Sequence, residues 1–313
     1  MHARRFRVSR IVRVGALALL LIFSAHSEGR TREDCQRDYQ PQGGQRGKDV
    51  VWVPTSDVMV LRMLELAKVT EKDVVYDLGA GDGKIAITAA ARYGAAAVGV
   101  EYNPLLVRLA KCLVEAAGVS DRVTIHEDDL FAVDFSEATV VTLYLMPSLN
   151  LRLRPRLLDL KPGTRVVSHS FPMGDWKPDA QSANLYGRAY LWIVPAKVAG
   201  TWQFVEQRGF GKFIAHLEQT FQELRGTAGA QKAALDKARL SGSDIEFSFS
   251  EGGKRIRVTG HVTGDRIDAR VTRDRETFTY IGTRLQSAPK LPAASTAIRE
   301  QRSLTDTHEK RQR

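Results

Sequence analysis

The chain has 313 residues, 43% of them hydrophobic, and a formal net charge of +10 at pH 7. This length and hydrophobic content suffice for a large core and about two domains, so fibrous and wholly disordered classes are excluded. Residues 1–27 carry five arginines and no acid, and residues 286–313 add a further +3. Subtracting both from +10 leaves +2 for the rest, so we expect no nucleic-acid partner for the folded part.

The N-terminal segment has the composition of an export signal. "MHARRFRVSRIVR" is followed by the 12-residue apolar run "VGALALLLIFSA", with the small residues Ala25 and Ser27 near its end. We predict that residues 1–27 form a signal peptide; an uncleaved membrane anchor and an organellar targeting peptide are the alternatives. The first two place the protein outside the cytoplasm (periplasmic or extracytoplasmic) or on a membrane. Residues 28–50 are predicted to form a polar linker.

The cysteine content is low. Cys35 lies in the predicted linker and Cys112 in a predicted helix, which excludes a disulfide framework and leaves one bridge open. For Cys112 we favour the interpretation of a small buried hydrophobic residue over a reactive thiol. No Cys/His cluster has the spacing of metal ligands, so no metal is predicted.

Residues 51–198 alternate predicted strands and helices. Helices are expected near 84–93, from Pro104 to Gly118 and near 148–160. The five predicted strands are "DVVYDL", "AAVGVEY", "RVTIHEDDL", "ATVVTLYL" and "TRVVSHSF". This order predicts an α/β fold with a Rossmann-like doubly wound sheet, in which ligands bind beyond the carboxyl ends of the strands.

A glycine loop follows the first predicted strand. Gly79, Gly81 and Gly83 have the spacing G-x-G-x-G, whereas the dinucleotide fingerprint is G-x-G-x-x-G. The strand ends in Asp77, whose carboxylate suits a cationic amino-acid ligand better than a pyrophosphate. A dinucleotide site and a purely structural glycine turn are the alternatives.

Two further acidic positions extend this pattern. Glu101 ends the second strand and can accept hydrogen bonds from two ribose hydroxyls, while Asp129 and Leu130 offer an acid and an apolar surface to an adenine. Asn103 either binds the cofactor or caps the helix that begins at Pro104. Together these positions predict a site for S-adenosylmethionine.

Residues 73–145 resemble the class I S-adenosylmethionine-dependent methyltransferases in this order of motifs. A narrower resemblance covers residues 51–195, through "VWVPTSDVMVLRMLELA", "YDLGAGDGKIAITAA", "GVEYN", "DLF", "LYLMP" and "PGTRVVSHSFPMGDWKP". It is similar to the membrane-associated protein-lysine methyltransferases of mitochondria, which modify ATP synthase and the adenine nucleotide translocase, and to their bacterial relatives. The resemblance implies that Pro54 and Thr55 close over the cofactor. Trp52 stands where that family commonly has Tyr.

The acceptor side is predicted less sharply. Tyr144 ends the fourth strand and either lines a methyl-acceptor channel as the catalytic residue or packs; Trp176 is a second candidate for the lining. His169 is interpreted as a core histidine rather than a base. The Asn-Pro-Pro-aromatic motif of enzymes that methylate base amines or glutamine is absent, and "YLMP" stands in its place.

These observations predict an S-adenosylmethionine-dependent methyltransferase that modifies lysine on a protein substrate at or near a membrane. The alternatives are a small-molecule or lipid methyltransferase, and a non-enzymatic S-adenosylmethionine-binding protein whose C-terminal domain is the working module. The mitochondrial enzymes lack the chain after residue 195, which leaves the identity of the acceptor open.

After residue 198 the pattern changes to short alternating strands separated by glycine turns. Residues 199–286 are predicted to form a small antiparallel all-β domain of six strands, as a barrel or an open sandwich. We expect it to stabilise or position the enzyme, with binding of a lipid, glycan or partner as the alternative. Residues 287–313 are predicted to be a disordered tail.

Overall fold

The computed structural model describes residues 30–46, 51–209 and 211–287. The predicted signal or anchor segment lies outside these ranges, as does the predicted tail from residue 288 on. Within the described ranges, no helix is both long enough and apolar enough to span a bilayer.

The first sheet has seven strands in the order β3-β2-β1-β4-β5-β7-β6. Its strands are β1 (Val74–Leu78), β2 (Ala96–Glu101), β3 (Val123–Glu127), β4 (Val140–Leu143), β5 (Arg165–His169), β6 (Ala180–Asn184) and β7 (Gly187–Ile193). β1 to β5 pair in parallel, so the five predicted strands and the doubly wound arrangement are confirmed. The antiparallel hairpin of β6 and β7, which extends the sheet beside β5, was not predicted.

Within the described residues, five helices accompany this sheet: α1 (Arg32–Asp38), α2 (Asp57–Leu66), α3 (Lys84–Tyr93), α4 (Pro104–Ala116) and α5 (Pro147–Leu157). α3 begins after Gly83 and ends before Gly94, both in the left-handed region that favours glycine. One core lies between α2, α3, α4 and one face of the sheet. A second core contains the buried residues of α5 and lies on the opposite face. Helices on both faces bury the parallel strands from both sides, as such a sheet requires.

A disulfide joins Cys35 of α1 to Cys112 of α4, with the two Cα atoms 5.7 Å apart. The bridge that the sequence left open is thus present, and Cys112 is buried among apolar residues as expected, but as a disulfide partner. Both cysteines are buried between the two helices, together with Leu109 and Leu113. The segment that we expected to be a polar linker thus contains a helix that is covalently attached to the domain.

The second sheet is antiparallel and closes on itself. Its strands are β8 (Gly200–Glu206), β9 (Lys212–Thr220), β10 (Glu223–Ala228), β11 (Ala233–Ala234), β12 (Asp236–Ser241), β13 (Asp244–Glu251), β14 (Lys254–Thr263), β15 (Arg266–Arg273) and β16 (Glu276–Ser287). The strand order β10-β12-β13-β14-β15-β16-β8-β9 returns through the pairing of β9 with β10, so eight strands form a barrel and β11 is an addition to β10.

The closed sheet shows that the second domain is a barrel and not an open sandwich. It also has more strands than the six that the sequence predicted. "KFIAHLEQTFQELRGT", predicted as one strand, is the hairpin of β9 and β10 with its turn at Phe221 and Gln222. β12 was missed because "DKARLS" lacks the alternation of apolar residues that the other strands show. Buried aromatic side chains occupy the interior, among them Trp202, Phe204 and Phe247.

The turn between β9 and β10 packs on the first domain. Trp176 is fully buried, its ring centroid lies 5.9 Å from that of Phe221, and its Nε1 donates to Gln222 Oε1 at 3.0 Å. Gln222 Nε2 donates in turn to the Lys177 carbonyl at 2.6 Å. Trp176 is therefore part of the contact between the two domains, and the prediction that it lines an acceptor channel is wrong.

Candidate active site

A cleft opens at the carboxyl ends of β1, β2 and β4, where the strand order changes direction. This is the position at which doubly wound sheets bind their ligands. Ten of the eleven predicted site residues line it: Pro54, Thr55, Asp77, Gly79, Gly81, Glu101, Asn103, Asp129, Leu130 and Tyr144. The exception is Gly83, which is buried outside the cleft lining; an added Cβ there would be 3.2 Å from Ala110 Cβ.

The glycine loop is shaped by backbone conformation and by β2. Gly79 and Gly81 have φ values of 87° and 58°, which side chains with a Cβ rarely adopt. The backbone N–H groups of Gly79 and Ala80 both donate to the Val100 carbonyl, at 2.9 and 3.0 Å. The loop thus leaves β1 in a tight turn that keeps its backbone against the cleft.

Glu101 fixes the loop from the neighbouring strand. Its Oε2 accepts from the Gly81 N–H at 2.9 Å, and its Oε1 accepts from the Asn103 N–H at 2.8 Å. Each carboxylate oxygen has further lone pairs with which to accept a ligand hydroxyl. Asn103 caps α4, because its Oδ1 accepts from the Leu105 N–H, and it also lines the cleft, so its binding of the cofactor stays a prediction.

Asp77 is a buried acid at the base of the cleft. Its side chain is 2% exposed, and Thr142 Oγ1 donates to its Oδ1 at 2.7 Å. Burial raises the pKa of Asp77 to about 7, and the neighbouring acids Asp82 and Glu101 act in the same direction. A cationic ligand group would relieve both effects, so this position favours positive charge.

Asp82 and Lys84 were not predicted as site residues, although both line the cleft. Burial raises the pKa of Asp82, while the charge of Lys84 opposes that shift. Asp82 could have been found, since it stands between two glycines of the loop. Lys84 could not have been found from the sequence, because its partners lie 27 to 29 residues away along the chain. Its Nζ is 3.1 Å from the Thr55 carbonyl and 3.0 Å from Asp57 Oδ1.

The segment of residues 51–56 covers the glycine loop. The indole of Trp52 lies on Gly81, where an added Cβ would be 2.7 Å from Nε1. Backbone hydrogen bonds join Trp52 to Gly44 and Gln45, at 2.8 and 2.9 Å. We call residues 51–56 the cover segment; it carries the predicted closing residues Pro54 and Thr55.

On the β4 side, the half-buried Tyr144 lines the cleft together with the apolar side chains of Leu145 and Leu149. Its ring centroid lies 4.0 Å from that of His169 and 6.2 Å from that of Phe171. His169 is 5% exposed, as expected of a core histidine, and burial lowers its pKa.

The comparisons with known proteins agree with this geometry. Residues 77–180 match the ANTKMT methyltransferase domain. The chain is 46% identical over 151 residues to a protein-lysine N-methyltransferase of Saccharolobus islandicus, covering 46% of this chain and 94% of that protein. The chain belongs to the ANTKMT methyltransferase family.

Two further proteins are similar to part of this chain. The adenine nucleotide translocase lysine N-methyltransferase of Mus musculus is 40% identical over 105 residues, which cover 33% of this chain and 46% of that protein. The crystal structure of an RNA methyltransferase from Salinibacter ruber with S-adenosyl-L-homocysteine is 52% identical, with a TM-score of 0.46; the match covers 47% of this chain and 96% of that one. The chain is a methyltransferase, and its cofactor is S-adenosylmethionine.

The residues of this methyltransferase fit that cofactor. The cofactor carries an ammonium and a sulfonium group, and the described lining offers five carboxylates, of Asp77, Asp82, Glu101, Asp128 and Asp129, against the ammonium of Lys84. Asp77 would hold the amino-acid part and Glu101 the ribose. Asp129 and Leu130 would hold the adenine, since they follow β3 at the far end of the cleft.

Proposed function

We propose that this methyltransferase transfers its methyl group to lysine side chains of proteins. The observation that carries the proposal is the lining on the β4 side of the cleft, where Tyr144, Leu145 and Leu149 offer an aromatic and apolar surface. A lysine must lose its proton before it can attack, and its reference pKa is about 10.4. An apolar channel next to a bound cation lowers that pKa, because both disfavour the ammonium form.

The charge of the domain supports a protein acceptor rather than a nucleic acid. Residues 51–198 contain 16 Lys and Arg and 17 Asp and Glu. Nucleic-acid binding depends on a basic surface that neutralises phosphates, and this domain has no basic excess. The names of the relatives from Saccharolobus islandicus and Mus musculus also point to lysine.

The reaction asks little acid–base chemistry of the protein. S-adenosylmethionine supplies a methyl group on a positively charged sulfur, which departs with the electron pair of the broken C–S bond as the new N–C bond forms. The protein contributes alignment and desolvation. Glu101 and the glycine loop orient the cofactor. The proton of the lysine amine leaves to solvent before attack, and Tyr144 and its apolar neighbours then exclude water from the neutral amine.

We further propose that the enzyme works outside the cytoplasm on proteins of the cell envelope. The bridge between Cys35 and Cys112 supports this location, since disulfides persist mainly in oxidising compartments. The basic and apolar residues 1–27 support it independently. Such an enzyme must receive its cofactor from the cytosol, where S-adenosylmethionine is made.

The test is transfer of a labelled methyl group. The purified chain is incubated with methyl-labelled S-adenosylmethionine and, in separate reactions, solubilised envelope membranes, extracted lipids and total RNA. We expect label in one or a few protein bands, recovered as methylated lysine after hydrolysis. Label only in lipid would support the small-molecule alternative, and label only in RNA would overturn the protein proposal.

A reporter enzyme that is active only outside the cytoplasm, fused after residue 50, tests the location. We expect activity from this fusion. An intact, stable fusion without activity would place the enzyme in the cytoplasm and contradict the proposal.

A further inference from the structure

His169 lies behind the cleft, between a residue of the cover segment and a residue of the acceptor wall. Its Nδ1 is 3.4 Å from Thr55 Oγ1, and its ring packs against Tyr144 with 4.0 Å between centroids and 32° between ring planes. Thr55 and Tyr144 both line the cleft, whereas His169 does not. His169 is thus in contact with both sides of the site without facing the ligand.

The second ring nitrogen of His169 lies against the hairpin of β6 and β7. An added Cβ at Gly187 would be 3.0 Å from Nε2. Burial lowers the pKa of His169 and so favours the neutral ring, while the nearby backbone of Tyr186 acts in the opposite direction. A neutral imidazole has one donor and one acceptor nitrogen, and in the tautomer protonated at Nε2 the Nδ1 atom accepts from the Thr55 hydroxyl.

The cover segment is therefore attached at two points. On the cofactor side, the Thr55 carbonyl accepts from Lys84 Nζ at 3.1 Å, and Lys84 also pairs with Asp57. On the acceptor side, the Thr55 hydroxyl reaches His169. Thr55 is 8% exposed, so a lost partner there would leave a buried hydroxyl unsatisfied.

We propose that His169 is a positioning residue that couples the cover segment to Tyr144, so that closure over the cofactor and placement of the acceptor wall occur together. The Nδ1 side of the ring contacts Thr55, and the Nε2 side lies against Gly187. Tyr144 packs on the ring between these two contacts. Loss of the hydrogen bond to Thr55 frees the ring to turn, and Tyr144 loses its support.

The first test is a double-mutant cycle on cofactor affinity, measured by calorimetry with S-adenosylmethionine. His169→Phe keeps an aromatic ring of similar size and removes the hydrogen bond to Thr55; Thr55→Val removes the hydroxyl and keeps the shape. We expect each to weaken binding by about three- to tenfold, and the double variant to bind no more weakly than the weaker single. If the losses of affinity in the two single variants multiply in the double variant, the two residues act independently and the coupling is overturned.

The barrel provides a matched control. Thr201 Oγ1 and His216 Nδ1 form the same kind of pair at 3.0 Å on the exposed surface of β8 and β9. Thr201→Val and His216→Phe should leave cofactor affinity within twofold of the unmodified chain. A loss equal to that of the site variants would show a general effect of such substitutions and overturn the proposal.

The second test is spectroscopic, so that a merely structural role is distinguished. In protein labelled with ¹⁵N-histidine, the His169 ring, assigned with His169→Phe, should be protonated at Nε2 and accept a hydrogen bond at Nδ1. Thr55→Val should move the Nδ1 signal to that of a free acceptor, and Thr55→Ser should restore it. An unmoved signal in Thr55→Val would overturn the assignment. If His169→Phe does not fold, the signal of the His169 ring is assigned with His169→Asn. The affinity test then uses Thr55→Val alone.

The third test concerns Tyr144. With cofactor at saturation and envelope membranes as acceptor, His169→Phe should lower kcat at least tenfold while KM for S-adenosylmethionine rises by about tenfold at most. An unchanged kcat would show that His169 acts on the cover segment alone and would overturn the coupling. If the unmodified enzyme labels no protein, the lysine proposal fails, and calorimetry and the ring spectrum still decide the role of His169.

Discussion

The Glu101 carboxylate bridges the glycine loop and the start of α4, accepting from the backbone N–H of Gly81 with one oxygen and from that of Asn103 with the other. The acid that is expected to bind the ribose is thus also the one that holds the loop in place. A ligand that binds Glu101 meets a carboxylate whose orientation is already fixed, and this lowers the entropy cost of binding.

Replacing Glu101 should therefore affect affinity twice, through the ligand contact and through the loop. We expect Glu101→Ala to weaken S-adenosylmethionine binding by about 1.5–3 kcal/mol, the scale for hydrogen bonds to a charged group. The measurement is calorimetry, with circular dichroism to confirm the fold. Glu127→Ala is the matched control, because Glu127 is exposed and pairs with Glu101 in register on β3. Equal affinity of the two variants would remove Glu101 from the site.

Cofactor affinity should depend on pH through Asp77. Its pKa is raised to about 7, so the free enzyme carries a neutral carboxyl below that pH and a carboxylate above it. A cationic ligand group prefers the carboxylate, and affinity should fall as pH drops below about 7, by at most tenfold per unit. Calorimetry between pH 5.5 and 8.5 measures this slope. In Asp77→Asn the slope should vanish, and a slope that persists would assign it to another group.

The raised pKa of Asp77 also predicts that the stability of the free enzyme falls as pH rises, whereas its cofactor affinity increases. A raised acid pKa means that the folded state binds the proton more tightly than the unfolded state does, so this contribution is complete below about pH 3.8 and lost as pH rises through 7. Without cofactor at pH 8, Asp77→Asn should raise Tm, because it removes a buried charge while Thr142 retains an acceptor. Thermal unfolding at pH 8 and pH 5 measures this, and a gain at pH 5 equal to that at pH 8 would contradict the cause.

Reduction of the bridge between Cys35 and Cys112 should destabilise the first domain. The bridge spans 77 residues, and loops of this size are stabilised by about 2–4 kcal/mol. Urea unfolding with and without reductant measures the loss, and Cys35→Ser with Cys112→Ser should equal the reduced protein and no longer respond to reductant. If reductant does not change the urea unfolding of the unmodified chain, the bridge is not formed in solution.

The first domain should bind its cofactor without the barrel. All cleft-lining residues lie between Val51 and Leu149, whereas the barrel contacts the domain at later residues: the turn at Phe221 and Gln222 meets Trp176, and the Gly242 carbonyl accepts from the Ala196 N–H at 2.8 Å. A chain of residues 30–198, which keeps the disulfide, should bind S-adenosylmethionine within about threefold of the full chain and unfold at lower temperature. Binding lost in a folded truncation would show that the barrel completes the cleft. In the full chain, Phe221→Ala should lower Tm by exposing Trp176 and leave affinity unchanged.

The sequence by itself determined the parallel sheet, the helices on both of its faces and most of the cofactor side of the cleft. These features depend on local sequence: β1 begins with a short apolar run, and the three positions of the following loop that need left-handed backbone are Gly79, Gly81 and Gly83. Because parallel strands end at one edge, acids that follow successive strands had to meet there, and Asp77 and Glu101 do. Nothing about this placement needs knowledge of distant contacts.

The tertiary structure alone decided which residues meet across long separations. Thr55 and His169 are 114 residues apart, Cys35 and Cys112 are 77 apart, and Trp176 meets Gln222 across 46. Side-chain pairing of this kind leaves no periodic pattern in the sequence. The closure of the barrel is of the same kind, because an open and a closed sheet have the same alternation along each strand. The sequence thus located the cofactor site, and the packing of distant elements decided how that site is covered and supported.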